Sequence, residues 1–242
     1  MKYTIIGNYT IDSNLLKSIE NTYNTQLKNI ENSSLNREYF SKKIDARLSK
    51  YKSRLANDYK VKIKKVEPIY EEWKKNIVEF LLQKDENIKI NDIQTLHTLF
   101  FPKDYFGETM GENGVRYYKQ YRAGEIREKE EFVIVGNMQY FYIKPEYIEE
   151  SLQNILSWFY TDNKTHIFLK IIIFYIYLCE IHPFANGNGS IALLICEYLL
   201  YKNHFDFSIT DVYNSLSLEE SKDFFKEGMK GNYNFIFQKV FT

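Results

Sequence analysis

Cysteine is almost missing from this chain, with two in 242 residues. Both, Cys179 and Cys196, fall inside apolar helical patterns and read as small buried hydrophobes, which excludes a disulfide framework. The four histidines are scattered without cysteine partners, so no zinc pattern forms. Charge of one sign is missing too. Thirty-two basic residues cancel 32 acidic ones, and no global field steers the protein to nucleic acid or to an anionic membrane. A long apolar run is also lacking. The longest, Ile171 to Cys179, is bracketed by Lys170 and Glu180 and is too short to span a bilayer. The start, Met1 to Ser13, has one lysine and no sustained apolar stretch, so no signal peptide is expected. These absences point to a cytoplasmic protein with neither nucleic acid nor membrane as partner, and they remain compatible with export into another cell by a specialised apparatus.

What is present is material for a core. Hydrophobic residues make up 44% of the chain, and 21 Tyr and 18 Phe suggest a core built on rings. The length suits one fairly large domain, or a catalytic core with a helical annex. Leu15, Ile19, Tyr23, Leu27 and Ile30 recur at helical spacing, and a second helix runs through Phe40, Ile44, Leu48 and Tyr51. Val66-Glu-Pro begins a third, with Ile69, Trp73, Ile77 and Phe80 on one face. The mixed charges from Lys42 to Lys65 mark a solvated face. Asn91-Asp92 caps a short helix carrying Leu96, His97 and Phe100, and the Pro and glycines from Pro102 to Gly114 indicate a loop. Phe132-Val-Ile-Val135 and Tyr140-Phe-Tyr-Ile143 flank Gly136-Asn137 and read as a hairpin over 131–143. Pro145 opens the next helix, from Glu146 to Phe159.

The richest segment is His182-Pro-Phe-Ala-Asn-Gly-Asn-Gly189, set between apolar helices expected over 165–181 and 189–203. A Gly-Asn-Gly that opens a helix leaves backbone N–H groups unpaired at the positive end of the dipole. Gly187, Asn188 and Gly189 therefore form an anion cradle that phosphate oxygens approach without a Cβ in the way. An imidazole beside such a cradle suggests base-assisted transfer of a phosphoryl or nucleotidyl group, with His182 as the base. His97, His166 and His204 have no such setting and read as structural or exposed. Phe184 reads as packing.

These residues resemble the signature of the Fic family, His-x-Phe-x-(Asp/Glu)-Gly-Asn-Gly-Arg-x-x-Arg. His182, Phe184, Gly187, Asn188 and Gly189 match it; Asn186, Ser190 and Leu193 replace its three charges. The order from Leu96-His97 through Gly124-x-x-Arg127 to the hairpin, and the closing Phe224 to Tyr233 segment, is similar to the family's core over roughly Asn91 to Phe241. The resemblance implies an all-α, mainly helical Fic-type fold with a small β-hairpin flap, in which 1–90 are a helical annex and 91–242 the core.

It also implies a reaction. Fic enzymes move AMP from ATP onto a hydroxyl of another protein, so the expected donor is ATP and the expected partner an unidentified target protein. The histidine acts as base, the Gly-Asn-Gly backbone binds phosphate, the acidic residue holds Mg²⁺ and the first arginine grips the outer phosphates. By position, Gly187, Asn188, Gly189 and Ser190 bind phosphate or nucleotide, Asn186 is a weak Mg²⁺ ligand without charge, and Val133, Ile134 and Val135 belong to the flap that docks the target. Ser190 offers one neutral hydrogen bond in place of a guanidinium; Leu193 faces the core; Arg122 or Arg127 is a candidate replacement for the missing charge. A restraining (Ser/Thr)-x-x-x-Glu-(Gly/Asn) helix is matched in part by Ser34 to Glu38 and by Glu227-Gly228, though an ordinary helix start at Ser34 accounts for the first. Two functions stay open: a transferase of low or altered activity, with ATP or another phosphate-linked donor, and a pseudoenzyme that binds nucleotide or protein without turnover.

Overall fold

A computed structural model describes residues 37–84, 87–110, 116–135, 138–205 and 208–229, with the single positions 14, 17, 18, 21 and 232. The helix expected over 15–30 and the Ser34 start lie outside the described residues.

The chain folds around two helices that are apolar on every side. Ile167–Ile181 (α6) and Asn188–Lys202 (α7) carry buried residues around nearly their whole circumference, the pattern of a helix enclosed by others. They pack on one another, as their sequence predicts. α7 is flanked by Arg37–Leu48 (α1), Glu67–Leu82 (α3), Ile90–Phe100 (α4) and Ile209–Ser215 (α8); α6 is flanked by Ile148–Thr161 (α5) and Leu218–Met229 (α9). A 3-10 turn, Ser49–Tyr51, and Lys52–Asp58 (α2) join α1 to α3. No helix among the described residues is long and apolar enough to cross a membrane.

Residues on both sides of position 90 contribute to one core. Phe40, Ile44, Leu48 and Ile77 from the annex share one buried cluster with Leu193, Leu194 and Leu200 of α7. Rings tie it together: Phe40 lies 4.8 Å from Tyr201, and Trp73 lies 5.6 Å from Phe100 while its indole N–H donates to the Leu99 carbonyl at 2.8 Å. α4 starts one turn's fraction earlier than Asn91, because Asp92 accepts the Lys89 amide at 2.9 Å and so caps from inside the helix.

Two hairpins precede α5. Phe132–Val135 (β3) pairs antiparallel with Met138–Phe141 (β4), with Val135 opposite Met138, as the residues around Gly136-Asn137 indicate. The expected loop over Pro102 to Gly114 is corrected: Tyr105–Met110 (β1) pairs with Arg116–Tyr121 (β2), Tyr105 facing Tyr121. Gly107 reads locally as a breaker, but its backbone is held opposite Lys119, and cross-strand pairing outweighs that local signal.

Candidate active site

His182 ends α6 in the left-handed conformation, φ 50°, ψ 58°. A residue with a Cβ pays roughly 1–3 kcal/mol for such a position, and these positions gather at functional sites. Pro183 has no N–H with which to continue the helix, so the turn is built in. The ring stacks on Tyr142, centroids 3.8 Å apart and planes at 17°. Its Nδ1–H donates to the Cys179 carbonyl at 3.3 Å, which leaves Nε2 with its lone pair free to accept a proton. Nε2 points to Glu131 Oε2 at 3.5 Å. Burial holds the imidazole down at about 3 and so neutral, with the nearby Arg127 acting in the same direction.

Behind the histidine stands Arg127. Its Nε donates to the His182 carbonyl and its Nη1 to the Lys129 carbonyl, each at 2.6 Å, while Nη2 reaches the carbonyl of Ile143. Its own amide donates to the Pro183 carbonyl at 2.9 Å. This guanidinium fastens the end of α6 to the base of the flap and has no free edge for phosphate. Arg122 is exposed and pairs with Glu125 at 3.4 Å. Neither arginine supplies the charge missing from the motif.

The loop that follows is held by two side chains. Asn188, 3% exposed, accepts the Phe184 amide at 2.8 Å and donates to the Phe184 carbonyl at 2.6 Å, closing the turn on itself. His97, fully buried, accepts the Gly124 amide on Nδ1 at 2.8 Å and donates from Nε2 to the Asn186 carbonyl at 3.0 Å. It stacks on Phe184 at 3.9 Å, and burial keeps it neutral at about 4. His97 is thus structural, as its setting in sequence suggests, but it is also the strut that sets the height of the motif loop.

The two glycines differ. Gly187 caps α7 at φ 80°, where an added Cβ would lie 2.5 Å from the Phe101 ring. The fold itself requires it. At Gly189 an added Cβ would meet nothing within 4 Å, so the space beside this residue is open. Ser190 and Ile191 both donate back to the Gly187 carbonyl; among the described residues, the amides of Asn188 and Gly189 meet no acceptor. Two unpaired amides at a helix N-terminus are the donors that an anion would need.

The remaining motif positions fall as follows. Asn186 is exposed and its Oδ1 accepts the Gly187 amide at 2.7 Å. Among the described residues no group of three His, Cys, Asp or Glu is placed to hold a metal. One neutral amide, already engaged, does not fit a protein-held Mg²⁺. Leu193 is buried in the core. Ser190 is 4% exposed and faces the annex: Arg47 Nη2 donates to its hydroxyl at 2.9 Å, and the Tyr51 hydroxyl lies 2.5 Å away. Val133, Ile134 and Val135 lie in β3. A cleft of about 350 Å³ reaches the motif loop at Ala185 and the flap base at Glu131, with Gln94, Lys119 and Arg122 along its wall. Arg47, Glu131 and Tyr142 are the site residues the sequence did not reveal. Arg47 lies in a charged run read as solvated, yet it is 5% exposed.

A neutral imidazole at a strained helix end, an open helix N-terminus and a hairpin over both define a Fic-type helical domain. Residues 87–200 match the model of the Fic/DOC family. Solved structures agree on the fold. A Fic family protein from Desulfovibrio desulfuricans G20 is similar over 96% of this chain and 72% of its own, at TM-score 0.62 and 12% identity. A Fic domain containing signaling protein from Bacteroides thetaiotaomicron VPI-5482 is similar over 95% of this chain and 94% of its own, at TM-score 0.55 and 13% identity. No curated protein matches the chain.

Proposed function

We propose that this chain transfers AMP, or a related phosphate-linked group, from a nucleotide donor onto a hydroxyl of another protein. The observation that carries the reading is the placement of His182, whose Nδ1–H is committed to Cys179 while an unprotonated Nε2 faces the flap. In the reaction, Nε2 takes the proton of the attacking hydroxyl as its oxygen bonds the α-phosphorus. The bond to the β-phosphate oxygen breaks and pyrophosphate leaves. The open amides of Asn188 and Gly189 hold the phosphates, and the cleft beside Ala185 receives the rest of the donor. Among the described residues β3 pairs only with β4, so an extended target segment has a strand edge to join near His182. Mg²⁺, where needed, is carried by the donor's own phosphates, since among the described residues no group of three His, Cys, Asp or Glu is placed to hold it.

The second reading is a binding module without turnover. Two observations favour it: the uncharged Asn186 and the carboxyl of Glu131 standing over Nε2. Incubation with cell lysate and ATP labelled at the α- or the γ-phosphate separates the two. The transferase labels a protein from α-labelled ATP only, and His182→Ala removes the label without changing nucleotide affinity. Equal behaviour of wild type and His182→Ala in the labelling assay would leave the binding module.

A further inference from the structure

Among the described residues, Arg47 is a buried cation without a counter-ion. It rises from α1, is 5% exposed, and makes one hydrogen bond, from Nη2 to Ser190 Oγ. Its Nε and Nη1 are sealed from water and donate to nothing. No carboxylate pairs with it among the described residues. Its neighbours do not compensate: burial keeps the Cys179 thiol neutral, and Lys50 adds a second positive charge nearby. A guanidinium does not shed its proton, so the charge persists. Unpaired and desolvated, it is costly unless something negative joins it.

Its tether shows where that negative group belongs. Ser190 lies in the first turn of α7, the helix whose leading amides at Asn188 and Gly189 are open and whose Gly189 faces empty space. The bond from Nη2 to Ser190 Oγ ties the guanidinium to the first turn of that helix, and its Nε and Nη1, like the amides of Asn188 and Gly189, are donors without an acceptor among the described residues. Acceptor-only tetrahedral oxyanions suit such a set, and a bidentate guanidinium suits phosphate in particular.

We propose that Arg47, reaching from the annex, is the anion-binding residue of this site and with the amides of Asn188 and Gly189 holds the terminal phosphate or pyrophosphate group of the donor. The identity of the anion as part of a nucleotide rests on the function proposed above. Because Nε and Nη1 are sealed, the anion reaches them as the Tyr51 hydroxyl leaves Ser190; Tyr51 is the partly exposed member of that trio.

The test uses the full chain, with pyrophosphate, ATP and AMP titrated calorimetrically at constant ionic strength into wild type, Arg47→Met and Arg47→Lys. Pyrophosphate and ATP should bind wild type, and Arg47→Met should weaken both by about tenfold or more, with Arg47→Lys between. AMP, lacking the terminal groups, should change little. Arg47→Met should melt no lower than wild type in anion-free buffer, because a thioether of similar volume replaces an uncompensated charge. Equal pyrophosphate affinity in wild type and Arg47→Met overturns the assignment and leaves the nucleotide donor standing. Arg47-dependent pyrophosphate binding with no response to either nucleotide keeps the assignment and removes the nucleotide donor. No binding of any of the three to wild type removes both. If Arg47→Met does not fold, an unchanged affinity in Arg47→Lys overturns the assignment.

Discussion

Glu131 Oε2 stands 3.5 Å from His182 Nε2, within ion-pair reach, yet burial drives both groups toward neutrality. It raises the carboxyl to about 7, against the opposing pull of Arg127, and lowers the imidazole to about 3. The separation is long for a charge-assisted bond. The arrangement is better described as a neutral acid covering a neutral base than as a salt bridge. Glu131 must move aside when an acceptor hydroxyl arrives.

This pair sets a pH dependence whose sign is fixed. Glu131 has a folded pKa above its usual 4.5, so the stability it contributes is complete below 4.5 and lost as pH rises toward about 7. His182 has a folded pKa below its usual 6.5, so its contribution is present above 6.5 and lost as pH falls toward about 3. Glutamine at 131 keeps the shape and cannot ionise. The melting temperature of Glu131→Gln relative to wild type should therefore rise from pH 5 to pH 8, by a difference of roughly 2–3 kcal/mol in stability. A difference that does not vary with pH would show that the carboxyl is not perturbed.

The two motif glycines should part company under substitution. Gly187→Ala places a Cβ against the Phe101 ring at a left-handed position and should cost about 2–4 kcal/mol in urea unfolding. Gly189→Ala meets open space and should leave stability within about 0.5 kcal/mol. It should nonetheless weaken pyrophosphate binding, because its methyl fills the cradle. Unchanged pyrophosphate affinity in Gly189→Ala would mean that the amides above it are not the anion site.

The contrast between those glycines also explains what sequence could reveal. The helical pair and the motif turn were legible because their signals are local: apolar residues on all sides of 167–181 and 188–202, and contiguous residues from His182 to Gly189. The β1–β2 hairpin was not, since Gly107 reads as a breaker until Lys119 lies opposite it. Arg47 was not legible either. It meets Ser190 across 143 positions, and within its charged run nothing separates it from exposed Lys42 and Lys50. The same holds for Glu131, which only the fold brings to His182.

Arg127 should prove a structural residue whose loss is felt at the histidine. Arg127→Met leaves the carbonyls of His182, Lys129 and Ile143 without their donor. Buried unpaired acceptors cost about 1–3 kcal/mol each where water cannot replace the donor, so an overall loss of about 3–5 kcal/mol is expected. Chemical denaturation measures this directly. A loss below about 1 kcal/mol would show that the clamp is dispensable and that the end of α6 holds itself.

Rebuilding the motif's charges should succeed at one position and fail at the other. Asn186 is exposed, so Asn186→Asp should fold normally and strengthen Mg²⁺-dependent ATP binding by adding a hard anionic ligand. Ser190→Arg is different. The site is 4% exposed and already touched by Arg47 and Tyr51, so a second guanidinium would be buried against the first. Like charges without a counter-ion, added to the volume of the new side chain, should destabilise the fold by about 3 kcal/mol or more. Removing Arg47 should relieve part of that cost. In a cycle of wild type, Ser190→Arg, Arg47→Ala and the double variant, the coupling should therefore exceed about 1 kcal/mol in the direction of rescue. Pyrophosphate should diminish the destabilisation of Ser190→Arg more than it stabilises wild type, because the anion screens the two guanidinium groups. Strict additivity in the cycle would mean that the two side chains do not share one site, and that the contact between Arg47 and Ser190 is not what sets the charge at the head of α7.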